Sequence, residues 1–410
     1  MSPKADRPGF DVGSLSEVFA DTSEVGPRTL YNGEYDMNTP SIPPSTPQFN
    51  IDNISKRQLT HRNMSMKALV YTGPGTVELL DRPKPTVQIP TDAVVRLLHA
   101  SICGTDLHII KGDVPNIQPG LVLGHEGVGI VEALGSAVHT FAVGERVLIS
   151  CMTSCGACQF CRRGLCAHCT NGGWTLGNQI DGTQAEYVRV PHATLSLYPL
   201  PESIDSRAAV AVSDAFPTGL ECGVLSANVQ PGATVVIVGA GPVGMAALLT
   251  AQLYTPALIV VVDLDDTRLA TAGRLGAHAT VNSGSEDAER RLMELSEGHG
   301  FDSVIEAVGI PATFALCQKL VGIGGRIANV GVHGTKVDLH LETLWERNIS
   351  IHMSLVNATT TSRLLRLVES GRLNISSLVT HHFPCSQATQ AYDTFQAASR
   401  HRALKVAIDF

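Results

Sequence analysis

An apolar strand that runs into a glycine-rich turn and then a helix restricts the possible folds of this chain more than any other feature. Residues 234–244 read TVVIVGAGPVG, with Gly239, Gly241 and Gly244 spaced as G-x-G-x-x-G, and the helical segment MAALLTAQLY follows. A second apolar run, ALIVVV, leads to Asp263, which lies 24 residues after Gly239. This order predicts an α/β protein with a doubly wound parallel sheet that binds a dinucleotide.

The glycines allow a tight turn and bring backbone N–H groups at the helix start close to a pyrophosphate, whose negative charge the helix dipole favours. The Asp263 carboxylate should accept hydrogen bonds from the adenosine ribose and repel a 2′-phosphate, which predicts NAD rather than NADP. Arg268 could contact the ribose or pyrophosphate, or could be a solvated helix residue. Strands at 301–309 and 324–332 continue the alternating pattern and carry Gly309 and Gly331 at the ends that bind ligands in such sheets. The other expected cofactor contacts are Pro242, Val243, Thr218 and Val308.

Five cysteines lie close together in SCGACQFCRRGLCAHC, residues 154–169. Four of them have the spacing C-x2-C-x2-C-x7-C, which can fold one short loop around a tetrahedral zinc ion; such a closed site is structural. The predicted ligands are Cys155, Cys158, Cys161 and Cys169. Cys166 could replace Cys169, and disulfides or a redox CxxC pair are alternative interpretations. The isolated cysteines Cys151, Cys222, Cys317 and Cys385 are expected to be ordinary buried thiols.

A second set of zinc-competent residues precedes and follows this loop. Cys103 lies in CGTDLH, His125 and Glu126 lie in LGHEGVG, and Asp214 lies in SDAFPTG. Three protein ligands would leave one coordination position for water or substrate, as a catalytic zinc requires. A histidine in apolar surroundings is also often only a core residue.

The composition limits the kinds of molecule that this protein is expected to bind. The net charge is −8, and no basic cluster indicates a nucleic-acid or membrane surface. No apolar run approaches the roughly 18 residues that cross a bilayer. A small-molecule substrate is therefore expected, with no nucleic-acid or membrane partner. The 410 residues suffice for two domains.

The first 65 residues differ from the rest, with seven prolines and no lasting apolar periodicity. They are predicted to be a disordered N-terminal extension. Early acids and the lack of an apolar signal core argue against a targeting segment, so a cytoplasmic location is expected.

With zinc-ligand candidates before a dinucleotide turn and a four-cysteine loop between them, the chain from about Met66 to Phe410 resembles the zinc-dependent medium-chain alcohol dehydrogenases. The resemblance implies a GroES-like β-barrel catalytic domain interrupted by a Rossmann domain, with the active site in the cleft between them. It further implies that Cys103, His125 and Asp214 hold the catalytic zinc.

The third ligand departs from the shell of two cysteines and one histidine. It resembles a branch, including bacterial secondary-alcohol dehydrogenases, that uses aspartate there; those enzymes often lack the four-cysteine loop and prefer NADP.

The resemblance also implies roles in the reaction. A zinc ion would act as a Lewis acid on the alcohol oxygen, and hydride would pass reversibly between a primary or secondary alcohol and NAD. Thr105 would take the alcohol proton and His108 would pass it on toward solvent. Glu126 is expected just behind the metal, either as a supporting group or transient ligand or in a simple salt bridge. Lys405, in the final strand, is expected to approach the cofactor phosphates or to be solvated.

Several alternatives remain at this point. Polyol, threonine and formaldehyde dehydrogenases share the fold, and their pockets would be lined by residues such as Trp174, Phe216, Trp345 and Leu355, which could equally be core. A zinc-binding interaction module with Arg162 and Arg163 beside the cysteines is disfavoured by the acidic charge, and a zinc-free reductase would not need either ligand set.

The motif positions predict how the chain is divided. The catalytic domain is expected over 66–215 with its zinc loop at 151–170, the Rossmann domain over 216–355, and a return to the catalytic domain over 356–410. A homo-oligomer, dimer or tetramer, is expected from the family.

Overall fold

A computed structural model describes residues 65–410 of the chain. The predicted extension over 1–65 lies outside these residues except for Ser65, which begins the first strand. The strands are β1 (Ser65–Gly73), β2 (Thr76–Pro83), β3 (Ala93–Ser101), β4 (Gly127–Leu134), β5 (Arg146–Ile149), β6 (Tyr187–Val190), β7 (Leu197–Pro199), β8 (Thr234–Val238), β9 (Leu258–Asp263), β10 (Ala279–Asn282), β11 (Phe301–Glu306), β12 (Val321–Asn329), β13 (Ser350–Met353), β14 (Val379–Pro384) and β15 (Lys405–Asp409).

Helices of four to ten residues connect these strands. They are α1 (Gly104–Lys111), α2 (Ala193–Ser196), α3 (Ser206–Ala209), α4 (Ala215–Thr218), α5 (Pro242–Ala251), α6 (Asp266–Arg274), α7 (Ala288–Leu295), α8 (Pro311–Leu320), α9 (Leu341–Leu344), α10 (Thr361–Glu369), α11 (Ala388–Gln396) and α12 (Ala398–His401). A π-helical segment, Gly219–Leu225, directly continues α4.

Six strands form a fully parallel sheet in the order β10-β9-β8-β11-β12-β13. Strand β8 is apolar over 235–238, and side chains on both of its faces are buried. Val235 and Ile237 pack into one hydrophobic cluster, and Val236 and Val238 pack into the other, on the opposite face. Each such side chain contributes about 1.5–3 kcal/mol when fully removed from water. The predicted parallel α/β sheet is confirmed.

Seven strands form a second sheet in the order β14-β15-β3-β4-β5-β7, with β6 also paired to β3. Its pairings are antiparallel except for β14 with β15. The last strand, β15, pairs with β3 so that Ala407 lies opposite Ser101. The C-terminal segment therefore returns to the sheet that carries the first zinc-ligand motif. The domain boundaries derived from the sequence stay predictions.

One helical stretch in the described part of the chain, Ser206–Leu225, passes a length and hydropathy test for a membrane span. Its most apolar window is 78% buried inside the protein, and Phe216 within it has no exposed surface. Burial of this kind is typical of the core helix of a globular protein, so the stretch is weak evidence for a membrane span.

Candidate active site

Three side chains of different chemistry meet at one point. The Cys103 sulfur lies 3.7 Å from Asp214 Oδ2, and His125 Nε2 lies 3.6 Å from the same oxygen. Together with a Glu126 oxygen, these ligand atoms all lie within 4.8 Å of one another. A thiolate, an imidazole and a carboxylate at such distances match the donor types that zinc binds.

Helix starts position two of these three groups. Cys103 follows β3 and caps α1, where its backbone N–H donates to Asp106 Oδ2 over 2.9 Å. Asp214 directly precedes α4, and the Thr218 hydroxyl one turn later donates to Asp214 Oδ1 over 2.8 Å. This hydrogen bond occupies one carboxylate oxygen and leaves Oδ2 facing Cys103 and His125.

His125 stands just before β4, in a turn that requires glycine at the preceding position. Gly124 has φ +92°, and a Cβ there would lie 2.6 Å from Gln184 Cγ. The edge of the imidazole packs on Trp174, with ring centroids 6.2 Å apart. Nδ1 is buried and has no hydrogen-bond partner within 65–410. Packing therefore holds the ring with Nε2 toward Asp214.

The ionisation of the cluster depends on mutual contact. Burial alone would raise the pKa of Asp214, but the hydrogen bond and charge of His125 outweigh it and hold that pKa below its usual range. Burial would lower the pKa of His125, but hydrogen bonds to Asp214 and Cys103 raise it well above 6.5. The protonation of each group thus depends on its neighbours, and a bound cation would replace protons as the partner of all three ligand atoms.

Glu126 is fully buried beside the cluster and forms an ion pair with Lys405. Lys405 Nζ lies 2.8 Å from Glu126 Oε1 and 2.6 Å from Oε2, and the Ser101 hydroxyl also donates to Glu126. The alternative that Lys405 is solvated is wrong, whereas its approach to the cofactor phosphates stays a prediction. Lys405 is 1% exposed, and Glu126 holds its ammonium group. The salt-bridge alternative for Glu126 describes the observed contact.

Other buried groups support the Cys103 turn and were not foreseen from the sequence. Tyr392 donates to Gln184 Oε1 over 2.7 Å, and Gln184 Nε2 donates to Asp106 Oδ2 over 2.9 Å. Asp106 could have been found, since an acid three residues after a helix cap is a capping pattern. Gln184 precedes β6 and Tyr392 lies on α11, both far from Cys103 in the sequence, where no local pattern identifies them. Ser101 ends β3, two residues before Cys103.

The two predicted relay residues lie on α1. The Thr105 hydroxyl is 3.7 Å from the Cys103 sulfur. The His108 side chain is 38% exposed, and its Nδ1 lies 2.9 Å from Asp113 Oδ2. Both residues line the same cavity as the zinc-ligand candidates, and His108 reaches solvent.

The predicted dinucleotide turn has the expected form. Gly239 has φ +110°, and a Cβ on Gly244 would lie 1.8 Å from the Gly239 carbonyl oxygen, so only glycine fits there. Gly241 caps α5 and exposes the N-terminus of that helix. The Asp263 carboxylate accepts from the backbone N–H of Ala240 over 2.6 Å and of Asp265 over 2.9 Å. Asp263 thus fastens the glycine turn to the end of β9.

A cavity of about 350 Å³ joins the metal cluster to this turn. The predicted cofactor residues that line it are Thr218, Gly241, Pro242, Val243, Val308, Gly331 and Lys405. The predicted residues that do not line it are Gly239, Gly244, Asp263, Arg268 and Glu126. Arg268 lies instead on α6, with Nε 4.0 Å from Asp265 Oδ2.

Two of the four suggested pocket residues do not line this cavity. Trp174 and Leu355 line it, whereas Phe216 is a core residue with no exposed surface and Trp345 is 75% exposed away from the cavity. Phe216 is buried because α4 packs into the core beneath the parallel sheet. Cys151 and Cys222, expected as buried thiols, are buried and also line the cavity.

The four-cysteine cluster is formed by Cys155, Cys158, Cys161 and Cys169, whose sulfur atoms lie within 4.8 Å of one another. Cys166 lies outside this cluster. Backbone N–H groups of Cys161 and Thr170 donate to the Cys158 sulfur and lower the pKa of that thiol to about 5, whereas burial raises the pKa of Cys169. Donors of this kind favour the thiolate form that binds zinc.

Comparisons with known proteins agree with this arrangement. Residues 89–202 match the family described as alcohol dehydrogenase GroES-like domain, and residues 242–370 match the family described as zinc-binding dehydrogenase. An alcohol dehydrogenase of Cupriavidus necator is 36% identical over 368 residues, which cover 84% of this chain and 98% of that protein.

Solved structures show the same fold. A zinc-dependent alcohol dehydrogenase from Streptococcus pneumoniae superposes with a TM-score of 0.81 at 50% identity, covering 84% of this chain and 98% of the other. An alcohol dehydrogenase from Thermus sp. ATN1 has a TM-score of 0.78 at 34% identity, covering 84% and 99%. The predicted fold class, reaction type and use of zinc and a nicotinamide dinucleotide are confirmed. The chain belongs to the zinc-dependent medium-chain alcohol dehydrogenase family.

Proposed function

We propose that this protein oxidises uncharged, apolar alcohols with NAD at a zinc ion held by Cys103, His125 and Asp214. The observation that carries the proposal is the meeting of these three donors in the wall of a cavity that also contains the N-terminus of α5. A metal-binding cluster and a dinucleotide turn that share one cavity are what hydride transfer from an alcohol requires.

The donor set fits zinc, because sulfur, nitrogen and oxygen ligands surround one point and Thr218 directs the Asp214 carboxylate toward it. When bound, zinc supplies a Lewis acid for the alcohol oxygen and NAD supplies the hydride acceptor. Replacing a thiolate by a carboxylate keeps the same formal charge, so the Lewis acidity should be retained. The buried Lys405 ammonium holds the Glu126 carboxylate and partly compensates its negative charge.

The protein groups on α1 provide a route for the proton. We assign Thr105 as the hydroxyl that takes the alcohol proton, since it lies beside Cys103 on the cavity wall. His108 lies one turn further along α1, and its partly exposed ring can exchange protons with water. Asp113 orients that ring through its contact with Nδ1.

The preference for NAD rests on Asp263. Its carboxylate lies at the end of β9, where an adenosine ribose lies in folds of this kind. Negative charge at this point would repel the 2′-phosphate of NADP. Arg268, on α6, is proposed to contact the same adenosine end of the cofactor.

The substrate class follows from the cavity lining. Around the metal cluster the lining is mostly apolar, and within 65–410 the ammonium of its one lysine, Lys405, is held by Glu126. The apolar lining residues near the cluster include Ile102, Val114, Met152, Trp174, Leu355 and Val356. A polyol or an amino acid such as threonine would leave hydroxyl or charged groups without partners on such walls. An apolar alcohol is therefore favoured over the polyol and threonine alternatives.

The remaining assignments concern the rest of the chain. We infer that the four-cysteine cluster holds a second, structural zinc ion, because its four thiols form a closed shell. We retain the division at 66–215, 216–355 and 356–410 as a proposal. No disulfide joins any of the ten cysteines, all of which lie within 65–410, and this supports a cytoplasmic location.

We also propose a homodimer. Strand β13 is at the edge of the parallel sheet and pairs on one side only within the described residues. Large apolar side chains on or near this edge are exposed, with Ile323 at 78% and both Trp345 and Met353 at 75%. An open strand edge with exposed apolar side chains is a natural pairing surface for a second copy.

Initial rates with a panel of alcohols test the substrate proposal. With NAD and the zinc-loaded protein, apolar primary or secondary alcohols should give a kcat/KM at least tenfold above that of polyols or threonine. Zinc content is measured on the same sample and should be two ions per chain. A higher kcat/KM for threonine or a polyol would overturn the proposed substrate class.

A further inference from the structure

A second cavity lies apart from the one that holds the metal cluster and the glycine turn. It has a volume of about 380 Å³ and is bounded by one face of α6 and by two C-terminal segments, 377–380 and 402–404. None of the residues that line it lines the active-site cavity. Its volume lies within the range of small-molecule sites.

The lining of this cavity is strongly basic although the chain carries a net charge of −8. Arg268, Arg274 and Arg402 line it, and no acidic residue does. Within 65–410, the nearest carboxylate to Arg268 is that of Asp265, 4.0 Å away, and no carboxylate lies within 4.0 Å of Arg274 or Arg402. Three arginines therefore border one space, and over the residues described only Arg268 among them has a carboxylate within 4.0 Å, so an anion there would relieve their mutual repulsion.

Two polar atoms at the cavity are buried and have no partner in the described part of the chain. They are Ser377 Oγ and Arg268 Nε. The threonine hydroxyls beside them are already used, since Thr271 accepts from Arg274 over 2.7 Å and Thr267 donates to Asp265 over 2.7 Å. A buried polar group without a partner is costly. Arg268 Nε faces Asp265 Oδ2 at 4.0 Å, so the Ser377 hydroxyl is the donor at this cavity that lacks an acceptor.

We propose that this cavity binds a small molecule through a phosphoryl group. The planar guanidinium fork pairs with phosphate oxygens in a bidentate manner, and several such forks around a hydroxyl donor suit a tetrahedral dianion. The volume exceeds that of a bare phosphate ion and leaves room for an organic substituent, which Leu275 and Leu404 would contact.

An occupied cavity would link two parts of the fold. Helix α6 follows β9 of the parallel sheet, and Leu404 directly precedes β15 of the seven-stranded sheet. A phosphoryl group that pairs with Arg274 on α6 and with Arg402 near β15 would tie these elements together. Arg268 also borders a third cavity that reaches Pro242 at the start of α5, so this arginine lies between the proposed site and the cofactor end assigned to it above. Arg274 and Arg402 border only the second cavity and distinguish the two sites.

Titration calorimetry on the zinc-loaded full chain tests this proposal. The probes are glycerol 3-phosphate, inorganic phosphate and succinate, at constant ionic strength set with chloride, with and without saturating NADH. We expect one saturable site per chain for glycerol 3-phosphate. The Kd measured with saturating NADH should lie within threefold of the Kd measured without NADH. Arg274→Gln and Arg402→Gln should each weaken binding about tenfold, as the loss of one charge-assisted hydrogen bond predicts.

Arg363→Gln is the matched control, because Arg363 is an exposed arginine on α10 that does not line the cavity. It should bind the probe as the unchanged protein does. Unaltered kcat without probe and unaltered Tm would show that the two test variants are folded. The proposal would be overturned if glycerol 3-phosphate showed no saturable binding, or if both test variants bound it as tightly as the unchanged protein does. It would also be overturned if succinate bound equally tightly or if NADH displaced glycerol 3-phosphate.

Discussion

At the scale of single residues, the aspartate among the zinc ligands is the most informative feature of the site. Thr218 was expected to contact the cofactor, and its hydroxyl is found on Asp214 Oδ1. The hydrogen bond holds the carboxylate so that Oδ2 faces Cys103 and His125. A ligand with two oxygens needs such a partner more than a cysteine would, because its second oxygen must also be satisfied.

The ion pair between Lys405 and Glu126 was not predicted from the sequence. The sequence places Lys405 in a final strand, but its partner Glu126 lies 279 positions away along the chain. Only the pairing of β15 with β3 brings the two together, and that register depends on long-range strand pairing that no local motif encodes. Glu126 itself was predicted beside the metal because it follows His125 directly.

Replacing Asp263 tests the cofactor assignment. In Asp263→Gly, loss of the carboxylate should raise the ratio of kcat/KM for NADP to that for NAD by about 10- to 100-fold, because a like-charge contact is removed. Asp263→Asn keeps an acceptor for the Ala240 N–H while removing the charge, so it should shift the ratio in the same direction with less loss of Tm. An unchanged ratio in both variants would show that the ribose assignment is wrong.

At the scale of elements, local patterns predicted those parts that are stabilised locally. The strand–turn–helix of β8 and α5 was predictable because an apolar run and three glycines specify it within eleven residues. The four-cysteine loop was predictable for the same reason, and the structure selects Cys169 over Cys166. The π-helical segment after α4 could not be predicted from the sequence, and the suggestion that Phe216 lines the pocket was wrong. The packing of α4 on the parallel sheet determines both features.

The two metal clusters lie on different elements, so a substitution in one cluster should remove its zinc ion without removing the zinc ion of the other. Cys158→Ser should remove one zinc per chain and lower Tm by about 5–10 °C, since loss of a structural metal is among the larger destabilising changes. Asp214→Ala should remove the other zinc, reduce kcat by more than a thousandfold and change Tm less. Metal analysis, thermal unfolding and initial rates on the two variants provide the measurements. Equal losses of activity with no change in zinc content would contradict the division of roles.

At the scale of the whole molecule, two sheets contribute to one cavity. The seven-stranded sheet supplies Cys103 after β3 and His125 before β4, whereas the parallel sheet supplies the glycine turn after β8. Composition and motif order predicted this architecture through the family resemblance. The second, basic cavity was not predicted, because its arginines come from two distant segments that only the folded chain brings together.

Substitutions at the exposed edge of the parallel sheet test the proposed homodimer. Met353→Lys on β13 and Trp345→Asp near it should shift the protein from dimer to monomer in sedimentation velocity, because a charge on an unpaired edge opposes strand pairing. Val143→Asp changes another exposed apolar side chain (66%), which lies outside this sheet, and should leave the dimer intact. A monomeric unchanged protein, or a dimer in both edge variants, would contradict the proposed interface.

The central claim is that a thiolate, an imidazole and a carboxylate hold one zinc ion and leave a position open for the alcohol. Anomalous scattering at the zinc edge from crystals of the NAD-bound protein measures this directly. We predict a peak roughly 2.3 Å from Cys103 Sγ and about 2.0–2.2 Å from a His125 nitrogen and an Asp214 oxygen. A peak without one of these three ligands, or with Glu126 as a permanent fourth ligand, would contradict the claim.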